Sequence, residues 1–149
     1  MADLRELYQE VILDHDKNPR NFKKLEPCSH NAEGFNPLCG DHYNVYLNLE
    51  EGVIREIGFE GSGCAISKAA ASLMTTSVKG KSPEEAVTLF EAYRKMITGE
   101  AAPEDPSKMG SLQVFAEVGK YPARVKCALL AWHALIAALE GKQNSISTE

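Results

Sequence analysis

Strict alternation between His42 and Leu49 puts Tyr43, Val45, Leu47 and Leu49 on one face of an extended segment and His42, Asn44, Tyr46 and Asn48 on the other. Only a half-buried β-strand accommodates that period. Glu50-Glu51-Gly52 then turns the chain, and Val53, Ile57 and Phe59 resume a period of two with Arg55 in phase, so the two runs predict an antiparallel hairpin. An isolated hairpin is marginal in water, so the rest of the chain has to cover its apolar face.

The covering elements read as helices. Leu4, Leu7, Tyr8 and Val11 follow i, i+3, i+4, i+7 and predict a helix over residues 3–14, ahead of Asn18-Pro19. After Gly61-Ser62-Gly63, the Ala- and Ser-rich stretch from Cys64 to Val78 ends at Gly80 and predicts a helix whose small side chains let another backbone approach. Ser82-Pro83-Glu84-Glu85 supplies an N-cap, a proline at the first helical position and a capping-box acid; Leu89, Phe90, Tyr93, Met96 and Ile97 follow at helical spacing up to Gly99. Residues 99–110 read as an exposed connection, followed by a short helix with Leu112, Phe115 and Ala116 inward. A last helix from Pro122 to Gly141 carries the core stripe Val125, Leu129, Trp132, Ile136 and Leu139. Cys127 falls ~200° away from that stripe, in a separate row with Leu130, Ala131 and Ala134, so core packing does not require it. At 149 residues with 44% apolar content, one domain spanning residues 1–149 suffices.

The net charge of −5 comes with no Lys/Arg run and no aromatic-interleaved basic stripe, so no nucleic-acid partner is expected. The N-terminus carries acids from its third residue and lacks the apolar run of a secretory signal. Cys127 to Trp132, the longest apolar stretch, falls far short of the ~18 residues of a membrane span, so no membrane partner is expected and the chain reads as cytoplasmic. In a reducing compartment four cysteines are unlike a disulfide framework, which leaves metal, redox or nucleophilic chemistry.

Three of the cysteines sit in distinct settings. A turn, Asn36-Pro37-Leu38-Cys39-Gly40-Asp41, places Cys39 beside a carboxylate; Gly61-Ser62-Gly63 delivers Cys64 to a helix start, where the thiolate form is favoured; and Cys127 lies in Arg124-Val125-Lys126-Cys127-Ala128 at the opening of the last helix. Cys39, Cys64 and Cys127 as thiolates with Asp41 as oxygen donor would complete a four-ligand metal site. Taken singly, each cysteine also reads as a small buried hydrophobe, and Asp41 as a turn carboxylate. Cys28, in a polar loop, shares none of these contexts. His42 alternates onto the outer face of the hairpin, His133 adjoins the core stripe, and His15 and His30 carry no motif. Lys126 and Arg124 are auxiliary cations that would stabilise a Cys127 thiolate or face a partner, or else belong to a solvated helix start.

Asn36-Pro37-x-Cys39-Gly40-Asp41, Gly61-x-Gly63-Cys64-Ala65-Ile66-Ser67 and Arg124-x-Lys126-Cys127-Ala128-x-Leu130-Ala131-Trp132 resemble, in order, the three motifs of the IscU/SufU family, which also forms the N-terminal part of NifU. The resemblance extends to the leading helix with Tyr8 and to Asn18-Pro19-Arg20-Asn21-Phe22. It implies a compact α+β fold, a small antiparallel sheet of about three strands with helices packed on one side and the site at its tip. By motif match the ligands are Cys39, Asp41, Cys64 and Cys127, holding Zn2+ or a transient [2Fe–2S] cluster. Members act as iron–sulfur cluster scaffolds or zinc-dependent sulfur acceptors, not as enzymes in the ordinary sense. The implied partners are a cysteine desulfurase that donates persulfide sulfur and apo iron–sulfur proteins, or a downstream scaffold, that receive it.

Two departures resemble the SufU branch. Lys126 stands where IscU-type members carry a histidine before the third cysteine, which removes a histidine ligand, and residues 99–118 resemble the SufU insertion. Lys120-Tyr121-Pro122-Ala123-Arg124-Val125-Lys126 replaces the segment shown to a chaperone and argues against a dedicated Hsp70 partner. Asp41 is a harder donor than thiolate and so the ligand that leaves most cheaply, whereas Cys39, on the turn, is the expected persulfide acceptor. Two other classes remain open. A cysteine-nucleophile enzyme of the thiol hydrolase type would need a histidine base that no motif supplies; a purely structural zinc module would need a domain that lacks its own core.

Overall fold

The computed structural model describes residues 4–37, 40–100, 109–141 and 146–147. The expected hairpin forms the middle of the sheet. β2 (Asp41–Glu50) pairs antiparallel with β3 (Val53–Ser62), and Glu51 and Gly52, at φ 53° and 79°, make the two-residue turn between them. Positive φ at both turn residues matches the twist of the strands. β1 (His30–Asn36) pairs antiparallel with the other side of β2, and β4 (Ile146–Ser147) adds parallel to β1, giving the order β3-β2-β1-β4.

Two features of the sheet depart from the sequence pattern. The register shifts between Asn48 and Leu49, so that Asn48 faces Glu56 while Leu49 faces Ile54. This bulge makes Arg55 the extra residue. Arg55 therefore leaves the core phase and lies exposed near Glu50 and Glu51, and Ile54 rather than Val53 is fully buried with Ile57 and Phe59. β1 gave no periodic signal, since Asn31, Glu33, Gly34 and Asn36 are poor strand formers. Tertiary packing overrides that preference: a Cβ at Gly34 would come within 3.1 Å of the Leu130 side chain and 3.3 Å of its carbonyl oxygen, so the glycine admits a helix onto the strand.

The helices cover one face of the sheet. They are α1 (Leu4–Lys17), α2 (Ala65–Val78), α3 (Pro83–Thr98) and α4 (Pro122–Leu139), with a 3-10 segment at Gly110–Lys120. The opposite face is partly covered by the chain around Leu25, whose neighbour Lys23 lays its carbonyl over Gly58. α3 has the capping box of Ser82 and Glu85 and a left-handed Gly99 at its end, as the sequence required. In the 3-10 segment Leu112, Phe115 and Val118 are buried at a spacing of three, whereas Ala116 is exposed. The three-residue turn, in place of the α-helical one, moves Ala116 outward. Residues 101–108 of the expected connection lie outside the described residues.

α4 departs most from a one-stripe reading. Leu129 and Trp132 are buried, with Trp132 stacked at 6.0 Å on Phe90 and 5.1 Å on Tyr93 of α3, while Val125, Ile136 and Leu139 are only partly buried. The other row, Cys127, Leu130, Ala131 and Ala134, is at most 1% exposed and includes the contact with Gly34. α4 lies between the sheet and α3, so both rows are core. By length and composition α4 could cross a membrane, but its apolar faces are spent inside the fold.

His15 is a buried polar group that the sequence did not announce. It is 8% exposed, and its Nδ1 lies 2.7 Å from Ser72 Oγ, which also accepts the Arg20 N–H at 2.8 Å. Burial, with Arg20 adding, pushes the imidazole below its ordinary value of 6.5; burial and Arg94 push His133 the same way. Both rings are therefore held neutral in the fold, while the unfolded chain binds protons more readily. The stability they contribute is present above the ordinary value and is lost as pH falls below it. With chelator present throughout, the melting temperature is expected to drop between about pH 7.5 and about pH 5.5, and to drop less in His15→Gln. Identical pH profiles for the two proteins would remove His15 from this account.

Candidate metal centre

One end of the sheet brings Asp41, Cys64 and Cys127 together. Asp41 opens β2, Cys64 is the N-cap of α2 just after β3, and Cys127 lies early in α4. Their ligand atoms all lie within 4.8 Å of one another. Two sulfurs at about 2.3 Å from a tetrahedral ion stand roughly 3.8 Å apart, so shifts of about 1 Å close the cluster on one ion. Cys39, the fourth expected ligand, lies outside the described residues; in the chain it precedes Asp41 by two positions, in the connection that joins Asn36 of β1 to Asp41.

The donor set fits a metal on its own chemistry. Asp41 is fully buried; its Oδ1 accepts the Cys64 backbone N–H at 2.9 Å, while its Oδ2 has no hydrogen-bond partner among the described residues. A buried, unpaired carboxylate oxygen is costly unless a cation completes it. The two thiol sulfurs beside it suit zinc or iron better than a hard ion such as magnesium. Cys64 is half-buried with extended backbone, and its sulfur accepts the Ser67 N–H at 3.5 Å, so the residue caps α2 with its sulfur as well as opening it. Cys127 is fully buried, with its sulfur 3.6 Å from the Ala123 carbonyl oxygen and 3.8 Å from the Asn36 Nδ2.

Gly63 makes this closeness possible. A Cβ there would stand 2.5 Å from Asp41 Oδ1, 2.5 Å from Ser67 Oγ and 2.7 Å from Tyr43 Oη. Any side chain would push apart the oxygens around the cluster. Tyr43 and Ser67 are both buried, with their hydroxyl oxygens 3.0 Å apart. Burial raises the Tyr43 phenol well above its ordinary value, with the negative charges of Asp41 and Cys64 adding, so it stays protonated. In the sequence Asn36 and Ser67 stand out only as motif residues and Tyr43 only as a core position. Their part in the site comes from a fold that sets the start of β2 against the start of α2.

Cys28 is half-buried near Asn31, away from the cluster. Arg124 is exposed beside a cleft that Ile12, Ile66, Val118 and Tyr121 also line, and Lys126 is half-buried one residue before Cys127. His42 pairs with Glu33 at 2.9 Å on the outer face, His30 with Ser29 at 2.8 Å, His15 with Ser72, and the His133 ring packs on Phe90 at 5.4 Å. Among the described residues no histidine is paired with a cysteine, which a thiol hydrolase would require.

A largely buried group of two cysteines and an aspartate that could hold a metal ion, at one end of a small antiparallel sheet roofed on one face by helices, belongs to a protein of the α+β class. The model of the NifU-like N terminal domain matches residues 7–128, and the chain belongs to that family. It is 40% identical over 134 residues to the zinc-dependent sulfurtransferase SufU of Bacillus subtilis, covering 90% of each chain. It is 37% identical over 145 residues to the iron-sulfur cluster assembly scaffold protein IscU of Streptococcus pyogenes, covering 97% of this chain and 90% of that one. A crystal structure of a putative scaffold protein for the SUF system from Fervidobacterium islandicum superposes with a TM-score of 0.84 at 34% identity, over 92% of this chain and 99% of the other.

Proposed function

We propose that this protein is an iron–sulfur cluster assembly protein of the SufU type, which accepts persulfide sulfur on a Cys3Asp metal site. The observation that carries the reading is the buried, unpaired Asp41 Oδ2 lying in one cluster with the sulfurs of Cys64 and Cys127. Zinc bound there would hold thiolates deprotonated and protected until a sulfur donor arrives. Cys39, Asp41, Cys64 and Cys127 are the proposed ligands. Lys126 in place of a histidine supports the SufU type over the IscU type, as does the likeness to the Bacillus subtilis protein.

Cys39 is the proposed acceptor, being in the chain the one ligand that belongs to a short connection between strands. Its thiolate attacks the terminal sulfur of a donor persulfide, the S–S bond breaks, and the donor cysteine leaves as a thiolate. One sulfur atom moves and no outside oxidant or reductant is consumed. The donor is a cysteine desulfurase and the recipients are apo iron–sulfur proteins or a further scaffold, in the cytoplasm. Arg124 and Lys126, next to Cys127, are the proposed auxiliary cations at the docking face. Relatives are described both as scaffolds and as a sulfurtransferase; here transfer onto and off the protein's own cysteine makes the chain a carrier rather than a turnover enzyme, within one domain.

Metal and acid-labile sulfide, measured on protein purified without oxygen, test the reading. Near-stoichiometric zinc without sulfide is expected. Iron with sulfide would make the resident state a cluster and favour the scaffold role, and protein that binds neither would sink the proposal. Chelation is expected to lower the melting temperature by mass action while the helical signal persists, because the core of the domain forms apart from the cluster. Full unfolding on chelation would favour a structural zinc module.

A further inference from the structure

The two buried hydroxyls beside the cluster have no packing reason to be polar. Tyr43 and Ser67 are each 0% exposed, and a phenylalanine and an alanine would fill the same space without polar atoms to satisfy. Their hydrogen bonds all lead toward Cys64. The Ser67 hydroxyl donates to the Cys64 carbonyl oxygen at 3.0 Å and lies 3.7 Å from the Cys64 sulfur, while the Ser67 N–H points at the same sulfur at 3.5 Å. The Cys64 carbonyl takes the single Ser67 hydroxyl proton, so the serine oxygen accepts from the Tyr43 hydroxyl 3.0 Å away. The same two oxygens flank Gly63 together with Asp41 Oδ1, and Oδ1 in turn holds the Cys64 N–H. Cys64 is thus gripped at its N–H, its carbonyl and its sulfur.

We propose that Ser67 and Tyr43 are positioning residues that fix Cys64 as the anchored thiolate of the metal site, so that it stays ligated while another ligand is released. Hydrogen-bonded partners that hold a ligating residue fix the orientation of its ligand atom, and losing such a partner typically costs about 10- to 100-fold in metal affinity. A hydroxyl pair that served packing alone would influence stability but not the metal. This assignment rests on the metal reading of the site given above, and the experiment separates the two.

The probe is cobalt(II) in place of zinc, with affinity measured by competition against a chromogenic chelator and sulfur-to-cobalt charge transfer followed in the near ultraviolet. Ser67→Ala alone leaves the Tyr43 phenol without its partner, so the double variant Tyr43→Phe/Ser67→Ala is measured with it. Ser72→Ala, which removes a buried hydroxyl in the same helix bonded to His15 and Arg20, controls for loss of stability. Both Ser67 variants are expected to bind roughly 10-fold or more weakly and to show altered sulfur-to-cobalt charge-transfer bands, because Cys64 loses the hydroxyl that holds its carbonyl and with it the fixed orientation of its sulfur. Ser72→Ala should melt earlier with affinity and spectrum unchanged. Wild-type affinity and spectrum in the double variant would overturn the assignment, as would an equal change in Ser72→Ala. A wild-type protein that takes up neither cobalt nor zinc would instead overturn the metal reading itself.

Discussion

Cys64→Ser and Cys127→Ser are each expected to lose metal, whereas Cys28→Ser should keep it. Structural zinc in zinc-finger peptides is worth about 10–16 kcal/mol over four ligands, so by the same share one proposed thiolate ligand would be worth about 3 kcal/mol, or roughly 100-fold in affinity. Such a loss would leave little zinc on the purified variants. The fold should survive, since serine replaces cysteine with little change of volume and the buried clusters formed by Trp132 with Phe90 and Tyr93, and by Ile54, Ile57 and Phe59 in β3, lie on other residues. Cys28 stands near Asn31 rather than at the cluster and serves as the internal control. Cys39→Ser belongs to the same series as a test of the proposed fourth ligand. Metal content by elemental analysis beside far-ultraviolet circular dichroism separates ligand loss from unfolding, and equal metal loss in all four variants would remove the assignment.

Asp41→Ala is expected to separate binding from transfer. If the carboxylate is the ligand exchanged most easily, the three proposed thiolates retain metal in part while sulfur acceptance from a desulfurase slows. The structure adds a second consequence. Asp41 Oδ1 also holds the Cys64 N–H, so the alanine variant leaves that donor unpaired in a partly buried place, at a cost of about 1–3 kcal/mol. Asp41→Asn keeps an oxygen for the Cys64 N–H but removes the charge from the metal. It should therefore melt higher than Asp41→Ala while sharing its transfer defect. Measured on the same preparations, wild-type persulfide turnover in both variants would return Asp41 to the role of a turn residue.

Much of this architecture was legible because it depends on local rules. The alternation of Tyr43, Val45 and Leu47 fixes which face of β2 is buried, and Ser82, Pro83, Glu85 and Gly99 fix both ends of α3, since capping and period are properties of neighbouring residues. Cys64 at a helix start was readable for the same reason. The motifs pointed to the proposed ligand residues, and spacing placed each on its own turn or helix start. What the chain alone did not give was decided by contacts between distant segments. β1 is a strand because β2 pairs with it and Leu130 packs over Gly34, against the preferences of Asn31, Glu33 and Gly34 themselves. Arg55 leaves the core because the pairing of β2 with β3 slips at Asn48, which no single strand can signal. Cys127 is buried because α4 is enclosed by the sheet on one side and α3 on the other, so a row that looked dispensable on one helix became core. The roles of Tyr43 and Ser67 arise in the same way: their hydroxyls are 24 positions apart in sequence and 3.0 Å apart in space. Local sequence determines what each segment is able to be, because backbone and side-chain preferences act within a few residues; burial and the convergence of Asp41, Cys64 and Cys127 are properties of the packed whole, and only the tertiary structure decided them.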